Sequence, residues 1–235
     1  MEEPGAWNII SSTTVMTSRL SYDARGALTP ASQYRKVETG ALMEYGFSPN
    51  VTLVFNPVTR DVSGEGPAGS IARHGLTTFE AGARWRLMDY YGQAITFQAT
   101  TRIPGRSDPV MPLENRPRTE LRLGYGVPAI INRKPGFVDS SIAWVKRHEP
   151  GADEVKIDTT YGWWQTRDRM VLLQYFTTIY PGAGLRRDPR QHKVQTSSVY
   201  KLNDHWSLQL GSFFTRGGHL TRRERGTVVA VWRRF

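Results

Sequence analysis

Leu76–Gly105, LTTFEAGARWRLMDYYGQAITFQATTRIPG, alternates on both sides of a short turn. Phe79, Ala81, Ala83, Trp85 and Leu87 form one row, and Glu80, Gly82, Arg84 and Arg86 form the other. After Tyr90-Tyr91-Gly92-Gln93 the alternation restarts, with Ile95, Phe97 and Ala99 against Thr96, Gln98 and Thr100. Strict period 2 on both sides of a short turn predicts a β-hairpin with one apolar and one polar face. The apolar face would meet a protein core in a soluble sandwich, or lipid in a membrane barrel whose charged row lines the interior. The rest of the chain separates the two.

Alternating or β-branched segments recur along the whole chain. Trp7 to Tyr22 reads as strand 1 and Tyr34 to Tyr45 as strand 2. Strand 3 starts at Val51, with Pro57 marking a bulge or the end of its pairing. Ser63 to Gly75 reads as a Gly-rich loop before the opening hairpin, strands 4 and 5. Strand 6 sets Thr119, Leu121, Leu123, Tyr125 and Val127 against Arg118, Glu120, Arg122, Gly124 and Gly126. Strand 7 places Val138, Ser140, Ile142 and Trp144 in its apolar row, and strand 8 sets Val155, Ile157, Thr159, Tyr161 and Trp163 against Lys156, Asp158, Thr160, Gly162 and Trp164. Strand 9, Met170 to Tyr180, is apolar on both faces, so its sides stay unassigned. Strands 10 (His192 to Leu202), 11 (Trp206 to Arg216) and 12 (ending at Phe235) complete the set, with GGHLTRRER as the last loop.

Links after even-numbered strands are short, and links after odd-numbered strands are mostly longer and rich in Gly, Pro and charge. An even strand count with short periplasmic turns and longer external loops is the arrangement of a transmembrane barrel. The expectation is therefore all-β: a single antiparallel up-and-down transmembrane β-barrel of about 12 strands over residues 1–235, located in the bacterial outer membrane. Residues 1–6 form a short periplasmic segment; MEEPGAW lacks the basic start and apolar core of a signal peptide and reads as a mature N-terminus with a start Met. Tyr45, Trp85, Tyr90, Tyr91, Tyr125, Trp163, Trp206 and Phe235 fall near periplasmic strand ends, as an interfacial girdle requires. Of the pair Trp163-Trp164, one is expected in that girdle and the other inside the lumen.

Composition sets further bounds. A net charge of +10 suits an anionic partner, while no zinc spacing, helix-turn-helix pattern or basic helical face points to nucleic acid. Cysteine is absent, which excludes disulfides and thiol chemistry. No stretch is long and apolar enough for a transmembrane helix, and barrel strands do not need one.

The final strand, GTVVAVWRRF, ends in Phe235 with Val231, Val229 and Thr227 at alternate positions behind it. It resembles the C-terminal signature of outer-membrane barrels, which the barrel assembly machinery reads; Arg233 departs from it, standing where an aromatic or apolar residue is usual. ALMEYGFSPNVTLVFNP, FEAGARWRL, TELRLGYG, GFVDSSIAWVKR and HWSLQLGSFFTR resemble the phenol-degradation meta-pathway family of outer-membrane proteins. That resemblance implies a small Gram-negative outer-membrane β-barrel of transporter or porin-like kind. It assigns no functional residues and does not establish phenols as solutes.

The inward row carries the chemistry: Glu80, Arg84, Arg86, Arg118, Glu120, Arg122, Lys156 and Asp158, with Glu38, Glu44 and Lys193 on the same face. Facing lipid, Arg and Lys would cost roughly 2–4 kcal/mol each near the midplane. Facing inward, the row is either a selectivity lining for a small polar or anionic solute or an ion-paired structural plug. Arg84, Arg86, Arg118 and Arg122 converge over Thr96, Gln98 and Thr100, and Glu80 and Glu120 neutralise only part of them, so a net positive constriction is expected. Arg186, Arg187, Arg190, Arg222 and Arg223 lie in external basic clusters suited to lipopolysaccharide phosphates. A plugged barrel that binds lipopolysaccharide or a protein partner is the alternative function. A third is a hydrolase with an Asp/His pair at the rim, drawn from His74, His148, His192, His219, Asp108, Asp153 and Asp188; no serine stands in a nucleophile elbow and no pair has metal-ligand spacing. No cofactor, metal or catalytic residue is assigned.

Overall fold

The computed structural model describes residues 1–66, 69–105, 117–131, 133–148, 152–182 and 188–235. Among them twelve strands follow in order: β1 (Trp7–Tyr22), β2 (Leu28–Ser48), β3 (Val51–Gly66), β4 (Gly69–Tyr90), β5 (Gln93–Pro104), β6 (Arg118–Ile131), β7 (Lys134–Arg147), β8 (Glu154–Trp164), β9 (Arg169–Ile179), β10 (Arg190–Lys201), β11 (Trp206–His219) and β12 (Thr221–Arg234). Each pairs with its sequence neighbours, and β1 closes the barrel on β12 through an antiparallel register running from Asn8↔Arg234 to Tyr22↔Thr221. Closure gives every strand a hydrogen-bonded neighbour on both sides, which a chain surrounded by lipid requires where it crosses the membrane.

The opening hairpin has the geometry its sequence implies. Tyr90 pairs with Gln93, and the two residues between them, Tyr91 (φ 48°) and Gly92 (φ 74°), both adopt positive φ. That is the two-residue turn whose twist matches the flanking strands.

Alternation sorts the side chains into two surfaces. Leu123 (49% exposed), Ile142 (50%) and Phe214 (50%) stand outward with Leu121, Trp144, Leu210 and Val229. So much exposed apolar surface is untenable in water and is the belt of a membrane-spanning wall. Aromatics edge it on the periplasmic side: Trp7 packs on Tyr45 at 4.8 Å, and Tyr90 meets Tyr91 at 4.4 Å. Arg233 belongs to the same edge, its guanidinium 4.8 Å from the Trp206 ring centroid and 4.0 Å from that of Phe235. A cation over two rings suits the interface, which accounts for the departure from an aromatic there.

Three expectations are corrected. Within the stretch Ser63 to Gly75 the described residues, 63–66 and 69–75, are strand rather than loop: β3 and β4 stay paired up to Gly66↔Gly69. Pairing satisfies the backbone of a hairpin that rises above the membrane, and Gly75 (φ 67°) sits in its one irregularity, donating its N–H to Asp61 at 2.9 Å. Similarly, GGHLTRRER is strand on both sides of Leu220. Pro57 neither bulges nor ends β3; the β2–β3 register is the same at Gly40↔Val58 and Met43↔Phe55, and the ladder is interrupted between them. The missing N–H of proline removes local bonding without shifting the strand.

Strand β9 is apolar on both sides because one side faces lipid and the other fills the lumen. Met170 and Leu172 pack inside with Val199, against Phe137, Trp164 and Trp232. Trp164 is thus the inward member of the Trp163-Trp164 pair.

Candidate functional site: the barrel lumen

Inward positions of β2 to β8 build a wall of ion pairs. Arg84 on β4 lies 2.8 Å from Glu44 on β2 and donates from Nε to Gln98 at 2.9 Å. Glu80 takes Arg102 at 2.8 Å and accepts from Thr100 at 3.0 Å. Arg122 bridges Glu120 (2.8 Å) and Asp158 (2.7 Å), and Lys156 reaches Glu120 at 2.8 Å. Higher in the barrel, Glu154 pairs with Arg147 and, at 3.5 Å, with Arg118. Glu38 holds Arg60 at 2.6 Å and Lys36 at 3.7 Å, and Glu224 holds Lys193 at 2.6 Å.

All eight lining residues expected from the sequence therefore face inward. Glu80, Arg84, Arg86, Glu120, Arg122 and Lys156 border one cavity of about 460 Å³, Asp158 pairs with Arg122 beside it, and Arg118 is buried against Glu154. Arg86 turns to the periplasmic rim, where it pairs with Asp89 at 2.9 Å. Where a net positive constriction is expected, Arg84, Arg86, Arg118 and Arg122 each have an acidic partner. Glu44 and Asp158, from β2 and β8, pair with Arg84 and Arg122, while Glu80 takes Arg102 and Glu120 is shared with Lys156. The tilt of barrel strands makes partners of residues two strands apart, which alternation along one strand does not reveal.

Arg60, Arg102, Arg147, Glu154 and Glu224 escaped the sequence reading. Their signal is simple continuation of the period: Arg102 follows Thr96, Gln98 and Thr100, and Glu154 precedes Lys156 and Asp158. The strands are longer than the membrane belt, so these positions lie past their expected ends.

The other side of the lumen is different. Phe137, Leu172, Phe176, Val228, Ala230 and Trp232 line a second cavity of about 430 Å³, with Gln174, Gln195 and Gln209 among them. Trp232 donates from Nε1 to Gln209 at 3.0 Å, and Gln195 donates to Gln174 at 2.9 Å. Leu42 and Asn56 border both cavities. The N-terminal residues turn into the periplasmic mouth: the Gly5 N–H donates to the Gly46 carbonyl at 2.8 Å, the Glu2 N–H to Thr52 at 3.4 Å, and Met1 borders the charged cavity.

Of the external basic residues, Arg190 and Arg223 are exposed. Arg222 instead donates to the Ser32 carbonyl at 2.9 Å and lies 5.1 Å over the Tyr34 ring, which draws it across the barrel mouth rather than toward lipid. Arg186 and Arg187 lie outside the described residues, as does Asp108. The rim histidines mostly have other partners: His148 bonds Thr119 (2.8 Å), His192 bonds Thr177 (3.0 Å) and His219 bonds the Ala24 carbonyl (3.3 Å). Asp153 takes Lys146 at 3.2 Å, and Asp188 accepts from the Gly182 N–H at 3.1 Å. His74 lies 3.6 Å from Asp61, with both side chains largely exposed.

The fold is shared with known barrels. An outer membrane channel from Pseudomonas putida F1 superposes with a TM-score of 0.77 over 100% of this chain and 97% of its own, at 13% identity. The translocator domain of the autotransporter NalP from Neisseria meningitidis gives 0.57 over 100% and 90%, at 8% identity, and the transport unit of the autotransporter AIDA-I from Escherichia coli gives 0.51 over 98% and 90%, at 9%. No protein-family model and no curated protein sequence matches the chain. The closed barrel, its apolar belt and these likenesses agree on a bacterial outer-membrane β-barrel.

Proposed function

We propose that this barrel gives passive passage to small organic solutes that combine a polar or zwitterionic group with an apolar body. The observation that carries the reading is the two-sided lumen. One wall is ion pairs and the other is aromatic and aliphatic with interspersed amides, and the two cavities meet at Leu42 and Asn56. Each has the volume of an ordinary small-molecule site. A wall of paired charges exchanges hydrogen bonds with a polar group while presenting little net field to an ion. The apolar wall offsets dehydration of the rest of the solute. That a relative in fold is an outer membrane channel supports passage in general and says nothing of the solute.

Swelling of proteoliposomes in isotonic solute tests it. Swelling is expected to be several-fold faster in leucine than in a sugar alcohol of similar size. Equal rates would remove the amphipathic preference.

A plugged lumen is the second reading, favoured by the density of ion pairs across the lumen wall and by Met1 at the cavity's edge. It predicts no swelling in either solute while the barrel remains folded.

A further inference from the structure

The outer surface of the wall is uneven at its extracellular end. Arg190 on β10, Arg216 on β11, Arg223 and Arg225 on β12, Arg19 on β1 and Arg35 on β2 are all exposed. Among the described residues, no acidic side chain pairs with any of them. The acids nearest in sequence are engaged elsewhere: Glu224 turns into the lumen onto Lys193 at 2.6 Å, and Asp23 accepts from the backbone N–H groups of Arg25 and Ala27. Around the wall, Asp61 is turned to His74, and Lys146 has Asp153. One arc of the barrel thus carries a band of uncompensated guanidinium groups.

The register sets their spacing. Thr17 is the partner of Arg225 on one side and of Arg35 on the other. The two arginines therefore stand side by side across β1, about 10 Å apart at two strand spacings. On the far side of Arg225 its partner is Phe214, and Arg216 is the next outward position on that strand. Arg19 lies in the irregularity between Thr17 and Leu20.

Depth follows from β12. Below Arg225 its outward side chains are Thr227, Val229 and Val231, and then Arg233 in the periplasmic aromatic edge. The stretch from Arg225 to Arg233 spans about 27 Å along a strand, or roughly 21 Å across a membrane at barrel tilt, close to the height of the apolar belt. Arg225 and its neighbours therefore sit where the outer leaflet's headgroups begin. Unpaired guanidinium groups at that level call for an anion supplied by the lipid.

We propose that this arc, from β10 through β12 to β2, binds lipopolysaccharide through the phosphates of its glycolipid anchor, with Arg35, Arg216 and Arg225 as the central contacts. Guanidinium forks suit phosphate oxygens, and several phosphates on one sugar backbone suit arginines a strand or two apart. The ethanolamine and glycerol phospholipids of the inner leaflet carry one phosphate each and lie at the other end of the barrel.

Native mass spectrometry of the detergent-solubilised barrel with purified rough-type lipopolysaccharide is the test. The wild-type protein should retain the glycolipid. The variant combining Arg35→Gln, Arg216→Gln and Arg225→Gln should retain roughly tenfold less, while Lys146→Gln on the opposite arc retains as much as wild type. Enzymatically dephosphorylated lipopolysaccharide should bind the wild type no better than the intact form binds the triple variant. If the triple variant does not fold, Arg35→Gln and Arg225→Gln are measured singly, each with a smaller loss expected. Undiminished retention by folded variants overturns the proposal, as does equal retention of dephosphorylated lipopolysaccharide or of phosphatidylglycerol.

Discussion

The guanidinium of Arg84 on β4 reaches past β3 to lie 2.8 Å from the carboxylate of Glu44 on β2. Glu44 is buried, so removing its charge leaves a cation beside a neutral amide in a partly desolvated wall. Glu44→Gln should lower barrel stability by about 1–3 kcal/mol and give the pore a preference for anions. Urea unfolding followed by gel mobility reads the first effect, and the reversal potential in a salt gradient reads the second. Adding Arg84→Gln should restore the wild-type reversal potential; persistence of the anion preference in the double variant would show that the two charges do not compensate each other.

The apolar wall makes a separate prediction. Trp232→Ala removes the largest side chain between the second cavity and the packed cluster of Met170, Leu172 and Val199. Leucine-driven swelling should rise several-fold, with some loss of stability, because an indole in contact with that cluster is replaced by a void. Unchanged swelling in a folded variant would place the solute path elsewhere in the lumen.

The periplasmic mouth can be tested through Gly46. A Cβ built there would stand 1.9 Å from the Glu3 carbonyl oxygen, a backbone atom with no flexible end to yield. Gly46→Ala should therefore displace residues 1–5 from the mouth. Faster proteolysis of that segment and higher single-channel conductance are expected, with the barrel's heat-modifiable gel mobility unchanged. Full protection of the segment would mean that it tolerates the methyl group in place.

The β1–β2 turn gives a pH dependence. Asp23 accepts from the N–H groups of Ala27 (2.9 Å) and Arg25 (2.7 Å), and these bonds, Ala27 first, hold its pKa below the ordinary aspartate value. A carboxylate with a depressed folded pKa contributes order above its ordinary pKa and loses it as pH falls through the depressed one. The Ala27 amide resonance should then titrate below the range of a free aspartate, and the transition should vanish in Asp23→Ala. A midpoint at or above that range would contradict the capping role.

Much of this was legible in the sequence, for physical reasons that differ by residue. Rows such as Phe79-Ala81-Ala83-Trp85 against Glu80-Gly82-Arg84-Arg86 encode which surface each side chain meets, because the side-chain period of a strand is two. Closure then follows from strand number and link length. Strand β9 was illegible because Leu172 and Leu173 are equally apolar, yet one packs in the lumen and the other faces lipid. The hairpin at Ser63 to Gly75 was hidden because a strand in water needs no apolar row, only pairing. Arg102 and Glu154 were missed where strands outrun the membrane. The pairing of Arg84 with Glu44 depends on strand stagger, a property of the closed barrel rather than of either segment.

In the proposed channel the lumen is open and the charges of its mid-barrel wall compensate one another. Planar-bilayer recording in a tenfold salt gradient tests it most directly. Small discrete conductance steps with a reversal potential near zero are predicted. Silence from a correctly folded barrel would make the lumen a plug, and a strongly anion-selective current would contradict the pairing of Arg84, Arg102, Arg122 and Lys156 with Glu44, Glu80, Glu120 and Asp158.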